Sequence, residues 1–393
     1  MAFVTQVGVS IMLPLLPLYA TSLGATPTVL GLLTSGFAVT IAVGQLGGGY
    51  LVERVASRRL VSIGIGTYAA ANVLIATAGT ALSLIAFRAL AGLGSGVNQV
   101  SERLYVAQAI DRTRLAFANG VLSAAGAAGT VLGPTVGGLL VGVSDLRLPF
   151  LVVGATSTLS AIGSLFLPKP RAERRPPTEA EAVAADPATA SAAPATPSTA
   201  TRLLVLLFLI QTFFQATFGA FITTYAVFTQ QRLGWATAEV GLVFSAFGLG
   251  SILLGPVLAN LADRRGRRDV AILGAALILI FPIAFHAELP RLVLYPVSIL
   301  GGAGVTALEA SYFALLADAT DGGRRSRAYG WIVGLSSLGI AVGATVASQV
   351  WTATGDVGLG LLMTGVALGF VIGFLALYPR DRPMGSADPA SGG

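Results

Sequence analysis

Residues 28–59 read TVLGLLTSGFAVTIAVGQLGGGYLVERVASRR, and residues 245–268 read SAFGLGSILLGPVLANLADRRGRR. The first stretch holds an uncharged apolar run, 28–51, longer than the 18 or so residues that read as a membrane-crossing helix. A short connection with Glu53, Arg54, Arg58 and Arg59 follows it. From Ser35 onward this stretch aligns without gaps onto the second, placing Glu53 over Asp263 and Arg54 over Arg264. Two apolar spans that end in one charged pattern point to an all-α integral membrane protein with an internal repeat.

Working outward, the same criterion gives six spans in the first half: 2–21, 28–51, 60–79, 82–108, 116–141 and 148–167. Six follow in the second: 203–229, 237–260, 269–287, 291–317, 328–352 and 358–378. The expected fold is therefore 12 transmembrane helices in two pseudo-symmetric six-helix bundles, residues 1–168 and 202–379. Segments of about ten alternating residues, which a β-barrel needs, are lacking. Residues 169–201 are biased to Pro, Ala, Thr and Ser after a charged start and cannot bury enough apolar surface to fold. They read as a flexible cytosolic linker, and 380–393 as a disordered cytosolic tail. The first span begins almost at Met1, so the start reads as trimmed. A cleaved signal peptide is not expected, because no basic residue precedes that run.

Composition agrees. Of 393 residues, 54% are hydrophobic and 11% charged, against about 25% charged in soluble domains. Cysteine is absent and His286 is the single histidine, so disulfide frameworks, thiolate chemistry and a zinc cluster are excluded. No cofactor or metal is expected, no enzyme constellation is present, and no catalytic residue is assigned. The net charge of +6 raises a nucleic-acid partner, but the placement of the charges removes it. Of 24 basic residues, 19 lie in alternate connections, the positive-inside pattern. It puts both termini in the cytosol of a multi-pass cell-membrane protein whose partners are the lipid bilayer and a small molecule.

The fourth and tenth spans repeat each other at a slightly different offset: Glu102 over Glu309, Tyr105 over Tyr312, Asp111 over Asp318. Chance likeness of Ala/Gly-rich helices explains apolar matches better than it explains matching charges. A repeat facing one way suggests two bundles around a site near the bilayer midplane. Each glutamate lies nine residues before its aspartate, about 13 Å deeper along the helix axis. A carboxyl group whose surroundings alternate between buried and open binds and releases a proton, so Glu309 and Glu102 are candidates for coupling. Outward sliding of the fourth helix would instead let Glu102 pair with Arg103 near the interface. Arg88, Gly92, Ser95, Gln99 and Glu102 form one helical stripe, expected to line the cavity because a charge within a span must face protein or water.

These features resemble the major facilitator superfamily. Its loop signature G-x-L-x-D-R-x-G-R-R is nearly complete at Ala259–Arg268, with Asp263, Arg264, Gly266 and Arg267. The first copy, Gly49–Arg59, carries Glu53 for Asp, Ala56 for the second Gly and Ser57 for an Arg, and keeps Arg54 and Arg58. A carboxylate can bind the positive end of a neighbouring helix, and arginines can pair with acids such as Asp111 and Asp318 across the bundles. That makes a gate; alternatively the charges only enforce topology and tight turning. Gly129, Gly133, Pro134, Gly137 and Gly138 fit G-x-x-x-G-P-x-x-G-G, similar to the antiporter motif of drug-exporting members, though glycine packing alone would give such a pattern. Arg88, Gly92 and Gly94 resemble the R-x-x-x-G-x-G pattern of proton-coupled exporters. An acid in the first helix, common in that group, is lacking.

Gln6 and Ser10, and Gln211 and Gln215, sit four apart in equivalent places and are expected either to contact substrate or to bond between helices. Phe213, Phe214, Phe218 and Phe221 are candidates for an aromatic pocket wall. His286 reads as a surface residue. The resemblance implies a monomeric secondary transporter, exporting small hydrophobic molecules in exchange for protons. A sugar or amino-acid carrier of the same fold and a non-transporting receptor are the alternatives.

Overall fold

The computed structural model describes residues 2–51, 54–109, 126, 128–141, 145–168, 197–319, 332 and 334–379; within them every regular element is a helix. The first half holds α1 (Ala2–Ser22), α2 (Pro27–Leu51), α3 (Ser57–Ala76), α4 (Ala81–Ala109), α5 (Ala128–Val141) and α6 (Leu148–Leu165). The second holds α7 (Pro197–Gln231), α8 in two segments (Thr237–Leu253 and Gly255–Arg265), α9 (Arg267–His286), α10 (Arg291–Ala319), α11 (Gly339–Thr354) and α12 (Val357–Leu377). Among the described residues, eight helices are long and apolar enough to cross a membrane, and Gln6–Ser22, Ala128–Val141 and Thr237–Leu253 are shorter apolar helices.

Such helices form because their side chains are apolar all round and each backbone satisfies its own hydrogen bonds, the only economical state in hydrocarbon. Boundaries depart from the expected ones in α7, α8 and α11, the last starting as a regular helix at Gly339 after a turn at 337–338. Helix α7 begins at Pro197, so the last residues read as linker are helical. The eighth span is interrupted at Leu254, because Pro256 has no N–H to give to the preceding turn. The rest of the 169–201 stretch and the tail 380–393 lie outside the described residues.

Packing repeats between the halves. Helix α4 is seated between α2 and α3, and α10 between α8 and α9; α3 packs on α6 as α9 packs on α12; α1 packs on α6 as α7 packs on α12. The halves meet where α2 lies on α11, α1 on α7 and α5 on α8. Because the helices alternate in direction, one face of the molecule carries the beginning of α1 and the end of α12 (the terminal face). The opposite, far face carries the short turns before α2, α4, α8, α10 and α12. An aromatic column in the second half, Phe221, Tyr225, Phe244, Phe281 and Phe285, fills the space between α7, α8 and α9 with centroids 4.2–5.7 Å apart.

Candidate functional site

Two regions are candidates: the polar groups of α4 and α10, and the seams where one half touches the other. In α4, close seating on α2 sets up the first. A Cβ on Gly92 would stand 2.8 Å from the Phe37 carbonyl oxygen, and one on Gly94 would stand 2.6 Å from the Tyr68 nitrogen of α3. At that approach Arg88 reaches into the middle of the bundle. Its guanidinium carbon lies 3.5 Å from the centroid of the Phe37 ring, and Nη1 lies 3.7 Å from the sulfur of Met12 on α1. The Tyr68 hydroxyl donates to the same sulfur at 3.5 Å. Arg88 is 4% exposed, and among the described residues no carboxylate pairs with it.

The α4 stripe therefore divides. Its Arg88–Gly92 end is packed among α1, α2 and α3. Its other end is open: exposed Gln99 accepts from Gln45 Nε2 at 3.2 Å and donates to Ser95 Oγ at 3.2 Å. Glu102 is half-buried there, and Asn98 Nδ2 donates to it at 3.5 Å.

Glu309 differs. Helix α10 gives Gly304 and Leu308 to α9, and Gly302 and Thr306 to α8. Glu309 lies on the side away from the outer helix α9. Its side chain is exposed, ten residues before the end of α10 at Ala319 and so within the apolar part of the helix.

Of the glutamines, Gln6 donates to Thr130 Oγ1 of α5 at 3.3 Å and to Ser10 Oγ at 3.4 Å, so this pair bonds between helices inside the first bundle. Gln215 packs on α11 beside Gly339 as Gln6 packs on α5 beside Gly129, which shifts the equivalence of the two pairs by one turn. Gln211 is buried. The four phenylalanines do not form one wall: Phe213 packs at a tilt against Phe370 and Phe374 of α12, Phe214 is buried, Phe218 is exposed, and Phe221 belongs to the aromatic column. His286 is half-buried rather than on the surface, with Nδ1 turned toward Gly358 of α12.

The α5 motif has two faces. Gly129 and Gly133 seat α5 on α1, where a Cβ on Gly133 would stand 2.7 Å from both Ser10 Cβ and the Val7 carbonyl oxygen. Gly137 lies against Ile11 and Leu15 of the same helix. Gly138 abuts Ala238 of α8 across the interface between the halves, and the Pro134 carbonyl abuts Gly241. The inter-half hydrogen bonds of Thr28, Thr34, Ser35 and Ser245 lie toward the far face and join uncharged groups. Examples are Thr28 with Thr352 at 3.2 Å and Thr223 to Thr34 at 3.1 Å.

On the terminal face the signature arginines have other partners. Arg58 Nη1 donates to the Leu167 carbonyl beyond α6 at 3.1 Å. Its repeat equivalent, Arg268, donates to the Leu375 and Ala376 carbonyls at the end of α12 at 2.9 and 2.7 Å. Each thus holds the last helix of its own half, a role that the charge pattern alone does not reveal. Arg267 donates to the Ala314 carbonyl at 3.3 Å. Arg54 lies over the Tyr50 ring at 4.6 Å and Arg264 is exposed. Gly266 has φ 99° and ψ 136°, a conformation that glycine adopts readily and an L side chain does not. Ala56, its equivalent, has φ −50°, so the first copy turns differently and can do without the glycine. Glu53 and Asp111, and the side chains of Asp263 and Asp318, lie outside the described residues.

The sequence matches the family described as Major Facilitator Superfamily over residues 1–236 and 207–393. It is 28% identical over 160 residues to an uncharacterized MFS-type transporter, MJ1560, of Methanocaldococcus jannaschii, covering 41% of this chain and 42% of that one. It is also 28% identical over 165 residues to the quinolone resistance protein NorA of Staphylococcus aureus, covering 42% of each. The chain thus spans about two-fifths of the length of these relatives. Among solved structures it resembles a mutant of the nucleoside transporter NupG, with a TM-score of 0.79, 12% identity, and 96% and 98% of the two chains covered. It also resembles a bacterial homolog of the human lysosomal transporter Spinster, inward-facing and occupied, with a TM-score of 0.76, 15% identity, and 96% and 94% covered. At these identities the likeness is one of fold.

Proposed function

The chain belongs to the Major Facilitator Superfamily, and from that premise we propose that it exports small hydrophobic organic molecules in exchange for protons, its bundles rocking about a midplane site. The observation that carries the coupling is Glu309, an exposed carboxyl group ten residues inside the end of α10, on the side away from its outer neighbour. In the inward-facing state of this cycle Glu309 releases its proton toward the cytosol as cargo loads from the same side. Each proton driven through 100 mV supplies about 2.3 kcal/mol. The α5 motif and the partial likeness to a quinolone resistance protein support an exporter.

The same reading places the protein in the cell membrane as a monomer. Both termini are cytosolic, and residues 169–201 connect the bundles 1–168 and 202–379. The signature charges, including Asp111, Asp263 and Asp318, form the terminal-face gate when the halves rock the other way. A metabolite carrier is the second reading, favoured by the exposed Gln45–Gln99 amide pair, which suits a polar cargo.

In proteoliposomes, Glu309→Gln should lose uptake driven by a pH gradient and keep counterflow exchange at equal pH. Undiminished gradient-driven uptake would remove Glu309 from the coupling role.

A further inference from the structure

Ser35 and Ser245 head the two aligned stretches and occupy the same place in each half. Each sits on the second helix of its bundle, one turn after a glycine, Gly31 or Gly241. Each reaches the fifth helix of the other bundle. Ser35 Oγ donates to the Ala341 carbonyl of α11 at 3.1 Å, sharing its proton with the Gly31 carbonyl at 2.7 Å, and stands 2.9 Å from Thr345 Oγ1. Ser245 Oγ donates to the Val131 carbonyl of α5 and stands 2.6 Å from Thr135 Oγ1. In both seams the carbonyl and the threonine are four residues apart on the facing helix. A hydroxyl has a single proton to give. When the serine donates to the facing carbonyl, its bond to the threonine is one that the threonine donates.

The glycines bring the helices close enough for this relay. A Cβ on Gly31 would stand 3.2 Å from the Ala344 carbonyl oxygen and 2.7 Å from Ser348 Cβ; one on Gly241 would strike the Pro134 carbonyl, 2.9 Å from its carbon. Ala344 and Pro134 are again equivalent, three residues after Ala341 and Val131. The same Gly-x-x-x-Ser device thus grips the same feature of the facing helix twice, related by the pseudo-symmetry of the fold.

We propose that the two Ser–Thr–carbonyl relays are a twin latch that holds the far face closed and must break, both together, for the protein to open outward. The proposal rests on the transporter reading above and adds the residues that set its conformational balance. Both latches are neutral, and hydroxyl bonds between membrane helices are individually weak. Water can replace both bonds of each relay once the seam parts, so closure is reversible.

The chain has no cysteine, which permits a clean test. In the full-length protein, Thr28→Cys with Thr352→Cys places a reporter pair on the far face, and the rate of oxidative cross-linking reads the closed fraction. Against that background, Thr345→Val and Thr135→Val remove one relay hydroxyl each while keeping side-chain shape; Thr345→Ser and Thr135→Ser keep the hydroxyl. Each valine should raise the open-to-closed ratio about threefold and the pair about ninefold, with the serine variants near the parent. An unchanged ratio in the double valine variant overturns the latch, and an effect from one seam alone overturns its twin character. A parent that never opens under any pH gradient or added cargo would sink the transporter reading, and the latch with it. Opening in the parent that the valines leave untouched sinks the latch alone.

Discussion

Arg88 is held by three neighbours, and none is an acid: the Phe37 ring, the Met12 sulfur and, one step away, Tyr68. A buried guanidinium without a carboxylate is costly unless its charge meets something polarisable, and the face of an aromatic ring supplies that. The first helix carries no acid to serve instead. Phe37 is therefore expected to matter as much as Arg88 itself. Phe37→Leu removes the ring and keeps an apolar side chain, and should cost about 2 kcal/mol, seen as a lower thermal midpoint of the purified protein. A midpoint equal to the parent would mean that the ring does not hold the charge. Arg88 was legible in the sequence as a charge inside a span, but Phe37, Met12 and Tyr68 were not. Their types are ordinary for membrane helices, and only the crossing of α1, α2 and α3 around α4 gives them a role. Gln6 shows the reverse: on the sequence a cargo contact and an interhelical bond were equally open, and its bond to Thr130 makes it a tie between α1 and α5.

At the scale of the element, α5 shows how one short pattern serves two neighbours. Its glycines at 129 and 133 face α1, while the 131, 134, 135 and 138 side meets α8 of the other half. A helix that must contact two partners this closely has little room for side chains. Gly133→Val would drive a branched side chain into Ser10 and the Val7 carbonyl, an overpacking worth about 1–3 kcal/mol. Less folded protein should be recovered from membranes for it than for Gly36→Val, since a Cβ on Gly36 meets nothing within 4 Å. Equal recovery would mean that α5 can withdraw from α1 without loss. The pattern was readable as a motif; its division into two faces was not, because spacing places residues around an axis without saying which neighbour each face meets. Helix ends were legible to a few residues wherever charge or glycine marks them. Pro256 interrupts α8 inside an apolar run, where hydropathy carries no mark of a break.

For the whole molecule the repeat was the legible part, since matched charges and spans fix two bundles of one topology, and the recurring helix pairings bear this out. What the sequence does not reveal is that the two ends of the molecule carry different chemistry. Toward the far face the described bonds between halves join hydroxyls and carbonyls. The terminal face concentrates arginines, several of them exposed or tied to helix ends. Neutral bonds are indifferent to ionic strength, whereas exposed ion pairs are worth about 0.2–1 kcal/mol each and are screened by salt. If the outward-open state is held by the signature charges and the inward-open state by neutral seams, raising salt weakens only the first. Moving from low to high salt should therefore shift the population toward the far-closed form, by about two- to fivefold for one or two such pairs. Spin labels on single cysteines introduced beside Thr28 and Thr352 would report it as growth of the short-distance population. A shift toward the long distance would mean that the charges act on the far-closed state instead. No shift at all would remove the signature charges from the gate and leave them topology and the ties of Arg58 and Arg268 to the last helix of each half.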